Sequence, residues 1–151
     1  MNDYDTSALI QLLLLIPFLA VAILFLLTQH RTLALVRLQN RQMPPGQVWL
    51  QLIPFFGLFW QFIVIKNISF SIRDELNTPD DDSIFGGDPI PTNEKPTYAI
   101  GIAYAVLFCI TIIMPGLLKS LTSLSGMVCW IVYWVQLSGY ARKLKQRTFL
   151  A

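Results

Sequence analysis

Four long apolar runs constrain this chain more than any other feature of its sequence. Each run is about 20 residues long and contains no Asp, Glu, Lys, Arg or His, so the charged residues lie between the runs. A charged side chain or an unpaired amide in hydrocarbon costs several kcal/mol, and about 20 apolar helical residues cross a bilayer core of about 30 Å. The runs cover about residues 7–28, 48–65, 97–118 and 122–141.

The composition supports the same interpretation. Hydrophobic residues make up 54% of the chain and charged residues only 13%, whereas soluble domains carry roughly 25% charged residues. An α-helix satisfies its own backbone hydrogen bonds, which a segment in lipid requires. The sequence therefore predicts an all-α polytopic membrane protein that forms a single domain over residues 1–151.

The N-terminal segment is expected to be a retained helix. The residues before the first run, MNDYDTS, contain no Lys or Arg, and no small-residue cleavage motif follows the run. A cleaved signal peptide would show both features. The helix is expected to continue past the membrane surface and to end before Pro44-Pro45-Gly46.

The second run, 48–65, carries Pro54 and Gly57 at its centre. Both residues interrupt helices, so a break in this segment is expected there. Beyond the run the pattern becomes amphipathic, which predicts an interfacial helix. The apolar side chains that recur at helical spacing are Ile65, Ile68, Ile72 and Leu76.

Two arrangements in the membrane remain open. Four complete spans with the N-terminus inside would place seven Lys and Arg inside and four outside. Three spans plus a re-entrant segment at 48–65 would place ten inside and leave only Lys119 outside. The excess of basic residues on cytoplasmic sides favours the re-entrant arrangement, although its backbone must then be covered by protein. Both arrangements place the basic tail, 142–151, in the cytoplasm.

Pro115-Gly116 is expected to end or bend the third helix. The third and fourth runs are predicted to pack as an antiparallel hairpin with a tight turn at Lys119-Ser120. Small side chains permit close approach of helices in lipid. The expected packing interface consists of Ala99, Gly101, Ala103 and Ala105 in the third run and Ser125 and Cys129 in the fourth.

A polar loop is expected at 77–96, which is rich in Pro, Gly and Asp. Four of its acidic residues could be interpreted as a calcium site, but the spacing and the terminal Glu of a helix–loop–helix calcium site are missing. A solvated acidic loop is the favoured interpretation. These residues are Asp80, Asp81, Asp82 and Asp88.

No recognisable catalytic set or metal-binding motif is present. The single histidine, His30, lies at the end of the first run, and the runs lack the ionisable groups that mark ion pathways and membrane catalysis. No catalytic residue, cofactor, metal or nucleic-acid partner is therefore predicted, and no small-molecule substrate is identified. Polar residues such as Gln51 and Gln61 are expected to bond between helices; lining an aqueous path in an oligomer is the alternative.

One motif carries a family resemblance. The stretch VWLQLIPFFGLFWQF resembles the W-x-x-x-I-P-x-x-x-L core of small multi-pass inner-membrane proteins of unknown function from Bacteroidota-type bacteria, with Trp49, Ile53, Pro54 and Leu58 at the matching positions. The stretches PTYAIGIAYAVLFC and GMVCWIVYWVQLSGY are similar to uncharacterised proteins of the same kind. The resemblance implies a bacterial cytoplasmic (inner) membrane location and supplies no catalytic residue.

Three functions follow as hypotheses, in order of preference. The first is a structural or accessory subunit of a bacterial membrane assembly, which contacts the lipid bilayer and other subunits or a second copy of itself. The second is a homo-oligomeric channel with Gln51 and Gln61 near its axis. The third is a membrane-associated enzyme that uses His30, Asp74 or Glu75, and it ranks last because these residues form no recognisable constellation.

Overall fold

The computed structural model describes residues 3–78 and 94–150, and these residues are predominantly helical and contain no strand. The all-helical prediction is therefore confirmed for this part of the chain. The predicted acidic loop residues, Asp80–Asp82 and Asp88, lie outside it. The elements are α1 (Asp3–Leu35), a 3-10 helix η1 (Pro45–Leu52), α2 (Phe56–Asn77), α3 (Tyr98–Ile113) and α4 (Gly116–Leu150).

Two of these helices are long and apolar enough to cross a membrane, not four. They are the stretches Leu15–Leu35 of α1 and Gly116–Arg147 of α4. Four helices of spanning length are not found among the described residues, because the run 48–65 is divided near Pro54 between η1 and α2. The third run forms a helix of only 16 residues, α3, whose length of about 24 Å falls short of the bilayer core.

The first helix ends earlier than expected, at Leu35. The guanidinium group of Arg41 folds back over this end and donates hydrogen bonds to the carbonyl oxygens of Ala34 (3.2 Å) and Val36 (2.9 Å). The last carbonyl groups of a helix have no partner within the helix, and a basic side chain can satisfy them. Arg41 therefore stabilises a helix end well before Pro44.

The third helix ends just before Pro115-Gly116, as predicted, but the tight turn expected at Lys119-Ser120 is not present, because both residues are helical. The chain turns at Met114 to Gly116, where Gly116 has a φ of +63°, and only glycine adopts such an angle without steric cost. Lys119 and Ser120 lie within the first turns of α4. The basic tail is helical as far as Leu150, and its Leu144 is buried.

The C-terminal parts of α1, α2 and α4 meet at one end of the bundle, which we call the basic end. Glu75 of α2 pairs with Arg37, which follows α1, and Arg147 of α4 donates 3.1 Å hydrogen bonds to the carbonyl oxygens of Glu75 and Leu76. The helices α3 and α4 run antiparallel, as predicted, and the turn that joins them lies at the opposite end of the bundle. Lys119 is the only lysine or arginine at that opposite end.

An aromatic cluster centred on Phe25 holds α1 against α3 and α4. The ring of Phe25 makes edge-to-face contacts, with centroid distances of 5.3 to 6.2 Å, to the rings of Tyr104, Trp130, Tyr133 and Trp134. Such pairs stabilise beyond the area that they bury. This cluster fixes the positions of the helices around the site described next.

The amphipathic pattern that begins at Ile65 forms the second half of α2. Its apolar residues Ile65, Ile68 and Ile72 are fully buried within the bundle, and Leu76 is half-buried. This stripe therefore packs against protein, since α1, α3 and α4 all contact α2.

Candidate functional site

A tight hairpin in the middle of the second apolar run forms one wall of the candidate site. The hairpin, which we call the Pro54 hairpin, comprises η1, the turn at residues 53–55 and the first residues of α2. Across it, the indole N–H of Trp60 donates to the carbonyl oxygen of Gln47 (2.8 Å), and the N–H of Gly57 donates to Ile53 (2.8 Å). The chain therefore reverses direction here and does not continue as one helix.

The residues predicted to break this segment lie at the reversal. Pro54 has no backbone N–H to donate to a helix, and Phe55, which follows it, has a φ of +60°. A Cβ atom on Gly57 would lie only 2.2 Å from the carbonyl oxygen of Gln51. Glycine is required at position 57 because the two arms of the hairpin approach so closely.

Two polar contacts attach the hairpin to α1. The Gln51 side-chain amide donates a 2.6 Å hydrogen bond to Oε1 of Gln29, which is fully buried. Nδ1 of His30 lies 3.1 Å from the carbonyl oxygen of Pro45 and donates to it. Gln51 thus bonds between elements, as predicted for the polar residues of the apolar runs, and His30 positions the start of η1.

The tip of the hairpin is exposed and apolar. Phe55 is 82% exposed and Phe59 75% exposed, and Leu52 and Ile53 beside them are about half exposed. The backbone N–H of Phe55 has no hydrogen-bond acceptor among the described residues. The tip therefore presents both apolar surface and an unpaired backbone donor.

A cavity of about 710 Å³ lies between the Pro54 hairpin, α1, α3 and α4. It extends along α1 from Leu26 to Pro17, and the described residues that line it are predominantly apolar and include no charged side chain. The polar residues that line it are Gln51, Gln61, Tyr104, Thr111 and Ser123. Its volume falls within the range of about 300 to 1,000 Å³ that is typical of small-molecule sites.

Two of the polar side chains in the cavity wall lack partners for their polar atoms. Tyr104 is only 6% exposed, and its hydroxyl group makes no hydrogen bond with the described residues. Gln61 is 8% exposed; its Nε2 atom donates to the carbonyl oxygen of Leu58 (3.1 Å), whereas its Oε1 atom accepts no hydrogen bond. Neither atom is among the fully buried, unpartnered side-chain atoms of the described residues, so both are accessible to a molecule in the cavity.

The small residues expected at the α3–α4 interface divide into two groups. Gly101 and Ala105 are buried, and a Cβ atom on Gly101 would lie 2.6 Å from Ile65 Cγ2 and 2.9 Å from Tyr133 Cε2. The structure does not bring the remaining four into the same buried face: Ala99 and Ser125 are exposed, and Ala103 and Cys129 are half-buried.

Contacts between α3 and α4 also involve residues that the sequence pattern did not single out. Gly126 lies opposite Leu107, with 3.4 Å between a Cβ atom placed on the glycine and Leu107 Cβ. The hydroxyl groups of Thr111 and Thr122 are 3.2 Å apart. Gly126 directly follows Ser125, which was predicted to lie at the interface. The prediction therefore placed the small-residue face of α4 one residue away from its actual position.

The three residues considered for an enzyme are all engaged in contacts between elements. Glu75 accepts hydrogen bonds from Arg37 and Asn40, and Asp74 accepts one from Gln42. Glu75, Asp74 and His30 thus each contact the segment 37–45 between α1 and η1, and these contacts hold that segment in place. Within residues 3–78 and 94–150, no group of three or more His, Cys, Asp or Glu side chains is arranged to hold a metal ion.

Comparison of the chain with family models, curated proteins and solved structures finds no match. The resemblance of Trp49, Ile53, Pro54 and Leu58 to an inner-membrane family remains a prediction that rests on those residues.

Proposed function

We propose that this protein is a multi-pass membrane subunit that binds a partner membrane protein through the tip of its Pro54 hairpin. Its membrane location is supported by the surroundings of the two long apolar helices. In an 18-residue apolar window of each helix, only 28% of the residues of α1 and 11% of those of α4 are buried within the protein. A core helix of a soluble protein would be mostly buried, and exposed apolar surface on this scale is matched by lipid.

The proposed layout has the Pro54 hairpin as a re-entrant segment. Gln51 contacts Gln29, while the cavity beneath the tip reaches Pro17, which is about 18 Å further along α1 at 1.5 Å per residue. The hairpin thus enters part of the way into a hydrocarbon core of about 30 Å and returns. The third crossing consists of α3 together with the turn at Met114 to Gly116 that follows it.

The orientation follows from charge. All lysine and arginine residues except Lys119 belong to the basic end of the bundle or to the segments beside it. Cytoplasmic segments of membrane proteins carry the excess of basic residues. The basic end and the C-terminus therefore face the cytoplasm, and the membrane in question is the bacterial inner membrane.

The observation that carries the proposal is the exposure of the hairpin tip. Irregular backbone at membrane depth is tolerated only where protein covers it or where it lines a water-filled cavity. Here Phe55 is 82% exposed, and its N–H has no acceptor among the described residues. A partner helix, from another subunit or from a second copy, would cover the aromatic tip and supply the missing contacts. The subunit contributes this packing surface and no chemistry of its own.

A channel is less well supported by the same site. Gln51 and Gln61 line the cavity, but most of its lining is apolar, and a conducting path requires polar groups along its length or a wide pore. An enzyme is less well supported because Asp74, Glu75 and His30 already hold backbone and side-chain groups together.

Site-specific photo-crosslinking in the native membrane tests the proposal. A photo-reactive amino acid replaces Phe55 in one variant and Leu117 in a matched control, because Leu117 is similarly exposed, at 78%, and lies at the start of α4. We expect a discrete protein adduct from position 55 and only lipid adducts from position 117. An adduct of twice the mass of the chain would identify a second copy as the partner.

The proposal fails if position 55 yields only lipid adducts and the protein is recovered as a lone monomer in mild detergent. Extraction of the membranes with alkaline carbonate provides the check on the location, since a protein that spans the bilayer stays in the pellet.

A further inference from the structure

The cavity beneath the Pro54 hairpin is a candidate binding site of its own. We propose that it binds a neutral, membrane-dissolved lipid whose head group carries a carbonyl or hydroxyl group. The inference rests on the membrane location proposed above, but it does not require the partner protein. Four observations about the cavity lead to it.

The first observation is the polarity of the lining. Among the described residues, no Lys, Arg, His, Asp or Glu side chain lines the cavity. A phosphate or carboxylate group placed there would lose its hydration without gaining a counter-charge, and such burial is strongly unfavourable. Anionic phospholipid head groups are therefore disfavoured, and a neutral head group is favoured.

The second observation is the pair of unpartnered polar groups in the wall. Tyr104 and Gln61 are both more than nine-tenths buried, and both line the cavity. The Tyr104 hydroxyl group is free to donate a hydrogen bond to a ligand carbonyl, and the Gln61 Oε1 atom is free to accept one from a ligand hydroxyl. A ligand that makes these bonds would gain directional contacts in addition to its apolar packing.

The third observation is the shape of the rest of the cavity. From Gln61 and Tyr104 it continues past Phe108 and Val21 to Pro17 and is lined there by apolar side chains. An isoprenoid or acyl chain is the complement of such a lining, because it gains from apolar contacts along its length. The polar head and the apolar chain of one molecule thus match the two parts of the cavity.

The fourth observation is access. The cavity also borders Phe18 on α1 and Met127 on α4, which are exposed and lie outside the hairpin tip. In the proposed layout this opening faces the hydrocarbon of the bilayer. A ligand dissolved in the membrane reaches the cavity without passing through water.

Two kinds of lipid share this chemistry. Quinones and quinols present carbonyl or hydroxyl groups on a ring, and diacylglycerols present ester carbonyl groups and one hydroxyl group. Native mass spectrometry of the full chain in a nonionic detergent distinguishes them when decylubiquinone, dioctanoylglycerol and dioctanoyl phosphatidylglycerol are titrated separately. We expect saturable binding of one molecule of decylubiquinone or of dioctanoylglycerol, and the probe that binds identifies the source.

The variant Tyr104→Phe removes only the hydroxyl group that lines the cavity. We expect its dissociation constant for the bound probe to rise about fivefold, as the loss of one hydrogen bond implies. The matched control is Tyr98→Phe, which makes the same change on the same helix outside the cavity lining. Its affinity is expected to equal that of the unmodified protein.

A second pair of variants tests the cavity itself. The Ala22→Trp substitution places a large side chain in the cavity lining, whereas Ala20→Trp places it on an exposed position of the same helix. We expect the first to abolish saturable binding and the second to preserve it, with both variants remaining monodisperse in detergent.

Several results would overturn the inference. One is that neither neutral probe binds saturably to the unmodified protein. Another is that phosphatidylglycerol binds as tightly as the neutral probes, and a third is that Tyr104→Phe and Ala22→Trp leave binding unchanged. Because the purified chain alone is used, these outcomes are independent of whether Phe55 contacts a partner protein.

Discussion

The carboxylate of Glu75 accepts two hydrogen bonds from Arg37, one from the side-chain Nε atom at 2.7 Å and one from the backbone N–H at 3.1 Å. Asn40 donates a third hydrogen bond, also at 2.7 Å, to the same carboxylate. The Glu75 side chain is only 8% exposed, whereas that of Arg37 is 41% exposed. One carboxylate on α2 thus fixes the loop that leads from α1 into the Pro54 hairpin.

Replacing Glu75 by alanine is expected to destabilise the protein by about 2 to 3 kcal/mol, because hydrogen bonds to a charged group are lost and their buried donors are left unpaired. The measurement is thermal unfolding of the purified protein in a fixed detergent. Glu94→Ala is the control, because Glu94 is exposed and lies outside the helices. Substitutions at exposed positions usually change the free energy of unfolding by less than about 0.5 kcal/mol. Equal effects of the two substitutions would contradict the proposed role of Glu75.

Gly57→Ala is expected to open the Pro54 hairpin. Its added Cβ atom would lie 2.2 Å from a backbone oxygen, that of Gln51, which cannot move away as a flexible side chain does. The cost of such overpacking is about 1 to 3 kcal/mol. Gly46→Ala is the matched control, because nothing lies within 4 Å of a Cβ atom at that position.

Differential scanning fluorimetry compares these two glycine variants with the unmodified protein. A lower melting temperature for Gly57→Ala alone supports the close approach of the two arms. If Gly46→Ala is destabilised to the same degree, the effect arises from the loss of glycine and not from the hairpin contact.

Gly101→Leu is expected to separate α3 from α2 and α4. Even the first carbon of the new side chain would meet Ile65 and Tyr133, at 2.6 and 2.9 Å. These neighbours are fully buried, so the expected destabilisation is at least about 1 to 3 kcal/mol. Gly139→Leu, at an exposed position of α4 with no atom within 4 Å of a Cβ, is expected to have little effect in the same unfolding assay.

The break in the second run was predictable because it arises from local chemistry. Proline lacks a backbone donor and glycine permits close approach, and both properties are visible at positions 54 and 57. The direction in which the chain leaves the break was not decided by these residues. That direction depends on Gln51 meeting Gln29, a contact between residues 22 positions apart that no local pattern encodes.

The two misplaced helix boundaries have a related cause. The end of the third helix at Pro115-Gly116 was predicted, and a tight turn was expected a few residues later, at Lys119-Ser120. Both of these polar residues are tolerated within a helix, so α4 begins directly at Gly116. The end of α1 was predicted at the next proline, whereas a capping bond from Arg41 ends it near Leu35. A side chain that acts from several residues away is not apparent from hydropathy.

The cavity was only partly predictable. Gln61 was singled out as a polar residue in an apolar run, and it lines the cavity. Tyr104 was not singled out for its hydroxyl group, because a tyrosine in an apolar helix resembles any other large side chain. Its lack of a partner became apparent only when α1, α3 and the hairpin were placed together.

Cysteine accessibility decides between the two arrangements of the chain in the membrane. Single cysteines are introduced at Gln42, Ser120 and Lys143, all exposed, in a background where the half-buried Cys109 and Cys129 are replaced by alanine. If the hairpin re-enters, Gln42 and Lys143 lie on the same, cytoplasmic side and Ser120 on the other. A membrane-impermeant thiol reagent added to intact cells with a permeabilised outer membrane should then label only position 120.

Four complete spans would instead place Gln42 with Ser120, because the segment between Gln42 and Lys66 would cross the bilayer. Labelling of Gln42 from the periplasmic face would therefore refute the re-entrant hairpin, and labelling of Lys143 from that face would reverse the orientation that the positive charges support.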